Sequence, residues 1–307
     1  MTTAGTANEG LKSEALRAAL ATALAGRPAQ LEDLFCRYGG GHDSRPNLRL
    51  AAAFGVEMQA AQGSGAATLL ARLGSDDAAP DTPRVFLPIA AAHGWVGRLR
   101  AGGDVDQAWS ALAELAADER VPVRLGTLDA LGSFAAKGSG ASALLANARQ
   151  WLEADDRPLA FGAAASVVEV LGDKQVLATA GNGKAVMDFL SQAIAAAAAA
   201  TRSAERSDER RRLLLALPKT LAAAVIAFAA GDRSVTWLET ECRQAQRPDV
   251  REVLSQAVVR LTTRGEGLSE TVALRLRGAL VGSAKPPRDP TRIRPGQGRG
   301  KASRRVR

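Results

Sequence analysis

Apolar positions along this chain recur three and four residues apart, in blocks of about 12 to 18 residues; this is the spacing of an amphipathic α-helix and the length of an ordinary globular one. The blocks begin near Leu11. They are separated by Gly26-Arg27-Pro28, Gly39-Gly40-Gly41, the stretch from Gly74 to Pro83, Gly102-Gly103, Gly138-Ser139-Gly140, Asp155-Asp156-Arg157-Pro158, Gly181-Asn182-Gly183, Gly231-Asp232 and Arg247-Pro248-Asp249. Glycine costs backbone entropy in a helix and proline removes a donor, so each cluster ends one helix and frees the next to start. The pattern predicts about fourteen helices and no strand.

Two consecutive blocks illustrate the unit. Asp104, followed three residues later by Gln107, has the form of a capping box, and Val105, Ala108, Trp109, Leu112 and Leu115 make an apolar stripe behind it. The next helix starts around Pro122, where a missing N–H is harmless in the first turn. Val121, Leu125, Leu128 and Leu131 mark its expected buried face.

Parts of this unit recur. Pro122-Val123-Arg124 is followed by Ala130 and Leu131, and Asp249-Val250-Arg251 is followed at the same offsets by Ala257 and Val258. Arg157-Pro158-Leu159 opens a third copy, with Ala160 in place of the arginine. A first helix, a turn containing Asp and a second helix opening on Val-Arg resembles the HEAT-repeat superfamily. That resemblance implies an all-α fold, a right-handed α-α superhelix, with the second helices lining a concave surface. It also implies a ladder between each turn Asp and an Arg six residues on, which Asp118 with Arg124 and Asp43 with Arg49 match; Arg251 has no such Asp. The expected organisation is a disordered N-terminus over 1–10, a solenoid over 11–283 and a disordered tail over 284–307.

Composition agrees with helices that pack closely: 46% of residues are hydrophobic but only 4% are aromatic. The net charge of +8 suggests a nucleic-acid binder until it is located. Nine basic residues and one acid fall between Lys285 and Arg307, so that segment holds the whole excess and the rest of the chain is formally neutral. Within that rest, residues 1–200 carry a net −4 and residues 201–284 a net +4, which directs any polyanion, DNA or RNA, to the C-terminal third or the tail. The prolines and glycines of the tail leave it no core to bury. Two cysteines, Cys36 and Cys242, make no disulfide framework, and no uncharged run is long enough to span a membrane. A cytoplasmic setting without membrane contact is expected.

Catalytic chemistry has little to work with. His42 and His93 are the only histidines and form no metal-binding pair, so no metal and no cofactor is expected. No glycine-rich loop sits between a strand and a helix, as a phosphate cradle requires. The bacterial DNA-alkylation-repair glycosylases, which share HEAT-like architecture, are a weaker resemblance. It implies tryptophans and a carboxylate facing a cationic base, for which Trp151 with Asp155 and Trp237 with Glu241 are the candidates, each four residues apart on one helical face. The same spacing also suits a core tryptophan and a helix cap, and Trp95 and Trp109 read as core. Arg124, Arg210, Arg211, Arg212, Arg251 and Arg260 are the candidate contacts for a partner or nucleic acid. The function expected first is an interaction module that binds a protein or peptide on its concave face, with the tail as an accessory. A DNA-binding protein of the alkylation-repair type is the alternative.

Overall fold

In the computed structural model, which describes residues 4–40, 45–61, 63, 65–154, 157–181, 183–229, 232–263 and 269–282, the chain forms an all-α repeat solenoid. Among the described residues there are fifteen α-helices, two 3-10 turns and no strand. The helices are α1 (Ala4–Leu24), α2 (Ala29–Tyr38), α3 (Leu48–Ala60), α4 (Gly65–Gly74), α5 (Phe86–Ala101), α6 (Val105–Ala117), α7 (Val121–Ala135) and α8 (Gly140–Glu153). They continue with α9 (Arg157–Leu171), the short α10 (Lys174–Thr179), α11 (Gly183–Ala198), α12 (Asp208–Ala227), α13 (Arg233–Gln244), α14 (Pro248–Thr263) and α15 (Glu270–Gly282). The first helix takes in most of the N-terminal segment expected to be loose. The tail expected over 284–307, together with His42, Asp43 and Asp155, lies outside the described residues.

Two rows account for the packing. In the inner row α3 packs on α5, α5 on α7, α7 on α9, α9 on α12 and α12 on α14. The outer helices are α4 against α6, and then α8, α11, α13 and α15 in succession. The three second helices recognised by their related openings, α7, α9 and α14, all belong to the inner row. Between the two outer groups α6 leans inward onto α9.

Local sequence explains several helix starts. The side chains of Asn47, Asp173 and Ser207 accept hydrogen bonds from the backbone N–H of Leu50, Gln175 and Arg210, the bonds that first-turn donors need. Asp104 does otherwise. It takes a left-handed backbone conformation with φ of 53° and gives no side-chain cap; its carboxylate accepts from Arg98 Nε at 3.0 Å. The capping box expected there is therefore replaced by a link back to the preceding helix.

The centre of the molecule is α5, in which every residue from Phe86 to Arg98 is buried. A helix covered on all sides must be largely apolar, and this one is apart from His93 and Arg98, with Trp95 fully enclosed. It also lies very close to α3: a Cβ built on Gly97 would stand 2.2 Å from the Gly55 carbonyl oxygen, and one built on Gly55 would stand 2.6 Å from that of His93. Both glycines are needed because the contacts are backbone to side-chain position, with no flexible group to yield.

A second junction sits at the C-terminal end of α6. Its last carbonyls have no partner within the helix. Leu115 O accepts from Thr127 Oγ1 on α7, and Ala116 O accepts from Ser166 Oγ on α9 at 2.8 Å and from Arg212 Nη2 on α12 at 3.1 Å. Three inner helices are thereby fixed to the end of one outer helix.

Gly97→Val is expected to destabilise the protein by about 3 kcal/mol or to prevent folding, because overpacking here meets backbone. Gly278→Ala, at a helical position with nothing within 4 Å, is expected to raise stability by up to about 1 kcal/mol. Urea unfolding of the two variants beside the parent checks both signs.

Candidate concave binding groove

The inner row curves enough for residues of α3 and α14 to border one groove, with a cavity volume of about 1160 Å³. Arg45, Pro46 and Leu48 close one end, α7 and α9 supply the middle, and α12 with Arg260 of α14 closes the other. None of its lining residues comes from α4, α6, α8, α11 or α13.

The α7 wall corrects the buried face expected from the apolar spacing. Val123, Gly126, Thr127, Ala130, Leu131 and Ala135 are the residues turned into the core. Of the four expected there, Leu131 is buried and Leu128 partly so, but Val121 and Leu125 are 55% and 54% exposed. Helices α5, α6, α8 and α9 press on the rest of α7. A strip comprising Leu125, Leu128, Asp129, Gly132 and Ala136 is left facing the groove. Opposite it, Leu215, Ala216 and Lys219 form a matching strip on α12, where Leu215 is 72% exposed. Two leucines open to solvent in a concave surface are the feature that sequence reading missed. The signal was present as an apolar stripe, but a stripe facing a groove has the same periodicity as one facing a core.

Beneath the α7 strip lies a small polar cluster. The His93 side chain is only 3% exposed, and its Nε2 stands 3.6 Å from Asp129 Oδ2, beyond hydrogen-bonding distance. Burial pushes its pKa down to about 4, the nearby Arg100 cation acts in the same direction, and a backbone hydrogen bond at Gly126 opposes them. Burial also raises the Asp129 carboxyl. Arg100 is held by Ser133, donating to its carbonyl at 2.8 Å and its hydroxyl at 3.1 Å, and that hydroxyl donates to Ala130 O. Among the described residues His93 Nε2 has no hydrogen-bond partner. No group of three or more His, Cys, Asp or Glu among those residues is placed to hold a metal ion.

The candidate arginines divide sharply. Arg210 is not a surface contact: it is 3% exposed, donates twice to Ala197 O at the end of α11 and pairs with Asp249 at 2.5 Å. The Asp249 pKa is lowered, the Arg210 and Arg247 guanidiniums outweighing its partial burial. Arg212 reaches the groove, but besides Ala116 O it donates to Gly162 O and to the Ser166 hydroxyl, and it faces Glu169 at 3.5 Å. Burial lowers its pKa, against the pull of that carboxylate. Arg251 donates to Leu280 O at 2.6 Å. Arg124 donates to the carbonyls of Asp118 and Glu119, while the Asp118 carboxylate pairs with Arg120 at 2.7 Å; the side-chain ladder expected between Asp118 and Arg124 is thus a helix-end cap. Arg211 is exposed and pairs within its own helix with Asp208. Only Arg260 is exposed, in the groove and without an ion pair among the described residues. Arg45 and Lys219, not singled out in the sequence, share those three properties.

No tryptophan among the described residues lines the groove. Trp151 on α8 stacks edge-on against Trp109 of α6 with ring centroids 6.0 Å apart, and Trp109 packs in turn on Phe134 at 5.5 Å. Trp237 and Glu241 do meet, through Ser191 of α11: the indole donates to the Ser191 hydroxyl at 2.8 Å, and that hydroxyl donates to the Glu241 carboxylate at 2.5 Å. Trp151 is thus packed between α8 and α6, and Trp237 with Glu241 is satisfied between the outer helices α11 and α13, away from the groove. Among the described residues a base-binding set of tryptophans and an acid on the inner row does not form.

No family model matches the sequence, and no curated protein matches it. Among solved structures, a designed armadillo repeat protein aligns over 79% of this chain and 96% of its own at 16% identity, with a TM-score of 0.28. Among the described residues no helix is long and apolar enough to cross a membrane.

The buried histidine makes stability depend on pH. Unfolded, the imidazole takes up a proton near pH 6.5; folded, it does so only near pH 4, so between those values the unfolded chain binds more protons and stability falls as pH falls. Asp129 acts in the opposite sense, since its raised pKa favours the folded state as the carboxyl protonates. Urea unfolding at about pH 7 and about pH 5 is expected to show a loss on the order of 2 kcal/mol from His93, and a flatter profile for His93→Leu.

Proposed function

We propose that this chain is a cytoplasmic interaction module, built from HEAT-like helix pairs, that binds a protein or peptide partner along the groove of its inner row. The basic segment over 284–307 serves as an electrostatic accessory. One observation carries this reading: Leu125 and Leu215 stand 54% and 72% exposed in a concave surface. Large apolar side chains gain most from being covered where a partner contacts them from several sides. Around them Arg45, Lys219 and Arg260 have no ion pair among the described residues, while of the three acids in the lining Glu169 serves Arg212, Asp173 caps α10 and Asp129 stands over His93. The groove therefore favours a segment carrying apolar anchors with carboxylates beside them. Binding rather than catalysis is supported by the internal use of the arginines and tryptophans that a repair enzyme would present.

Peptides selected from a displayed random library against the full chain are expected to be enriched in Leu, Ile or Phe flanked by Asp or Glu. The variant Leu125→Asp with Leu215→Asp should weaken them by about a hundredfold, the scale of losing two anchors. Leu274→Asp, on the exposed surface of α15, should leave them unchanged. Equal binding to all three proteins would remove the groove reading.

The accessory role of the basic segment has its own measurement. Full-length protein is expected to retain duplex DNA weakly, with an affinity that falls steeply as salt rises, and truncation after Ala284 should abolish the binding. Retention after truncation would move that role to the folded body.

A further inference from the structure

Beside the groove, between α10 and the second half of α12, lies a separate recess of about 600 Å³. Its origin is a mismatch of length. At six residues α10 is too short to cover the twenty-residue α12 beside it, and the α12 residues left partly or wholly uncovered include the small Ala223 and Ala227, with buried Ala222 at the floor. Leu177, Ile226 and Phe228 complete an apolar lining, and among the described residues no carboxylate contributes to it. Three cations do: Lys174, Lys219 and Arg260. Lys219 and Arg260 are exposed and form no ion pair among the described residues, and both also border the groove, so they stand where the recess opens into it.

We infer that this recess is a second binding site, for a small amphiphilic anion: an apolar body of acyl-chain size bearing one carboxylate. The volume lies within the range of small-ligand pockets. Apart from its cations the lining is mainly alkyl and aromatic, from Leu177, Ala223, Ile226, Ala227 and Phe228, so a hydrocarbon chain laid on it removes apolar surface from water on both sides. Two cations at the mouth offer the carboxylate charge-assisted hydrogen bonds, and neither gives up an existing ion pair among the described residues to do so. A neutral chain of the same length gains the burial but not the ion pairs, and a cationic one meets like charge. This site goes beyond the binding of a polypeptide in the groove, and its test needs no peptide, so the two ideas stand or fall separately.

The full chain is titrated calorimetrically with dodecanoate, dodecanol and dodecyltrimethylammonium, each below its aggregation concentration. Dodecanoate is expected to bind one per chain, dodecanol about tenfold more weakly and the ammonium compound not at all, with dodecanoate affinity falling as salt rises. Lys219→Glu with Arg260→Glu should weaken dodecanoate about a hundredfold or more. Ala223→Trp, which fills the recess, should block dodecanoate and dodecanol alike. If Ala223→Trp fails to fold, the charge-reversed variant, altered only at exposed positions, still decides the matter, its unchanged thermal transition showing that it is intact. Equal affinity for dodecanoate and dodecanol, several molecules bound per chain, or undiminished binding by the charge-reversed variant would each overturn the site. So would tighter binding of a short peptide ending in a free leucine carboxylate, since that would assign the recess to the polypeptide partner.

Discussion

The last carbonyls of α6 are where the solenoid is tied together. A helix end leaves acceptors with no internal partner, and burying them unpaired would cost several kcal/mol in total. Here Thr127, Ser166 and Arg212, from three successive inner helices, supply donors, and Arg124 caps the turn just beyond. This lets α6 lean inward onto α9, so that the two rows hold each other across the middle of the chain. The same solution recurs at other helix ends. Arg210 serves Ala197, Arg251 serves Leu280 and Arg98 serves Ala61, in each case placing a cation at the negative end of a helix dipole.

That use of arginine shapes the functional surface by subtraction. A cation that bonds two or three carbonyls inside the fold is not free to grip a phosphate or a carboxylate outside it. The C-terminal third carries a positive excess in sequence, yet Arg210 and Arg212 bond backbone carbonyls inside the fold and Arg251 donates to the Leu280 carbonyl. What faces the groove is a few cations around two exposed leucines. Such a surface suits a polypeptide with mixed chemistry better than a polyanion, which asks for many evenly spaced charges.

Close packing sets the other limit. The approach of α3 to α5 at Gly55 and Gly97 buries α5 on every side, and the many alanines elsewhere let inner helices sit near one another. Small side chains also leave space wherever a neighbour is short. The recess beside α10 arises in this way, from small side chains on α12 beyond the reach of that short helix.

The sequence by itself determined the helices, their approximate number and their pairing, because a period near 3.6 and glycine or proline breakers are local properties of the chain. It also determined that Trp95 and Trp109 belong inside, as large groups flanked by apolar neighbours. Only the tertiary structure decided which apolar stripe became core and which became groove. Leu131 and Leu125 lie on the same helix in the same alternation, and the difference between them is whether a neighbouring helix covers that side. It likewise decided the fate of the arginines: whether a guanidinium meets solvent or an orphan carbonyl depends on where another helix ends, and for Arg212 that end lies 96 residues away along the chain.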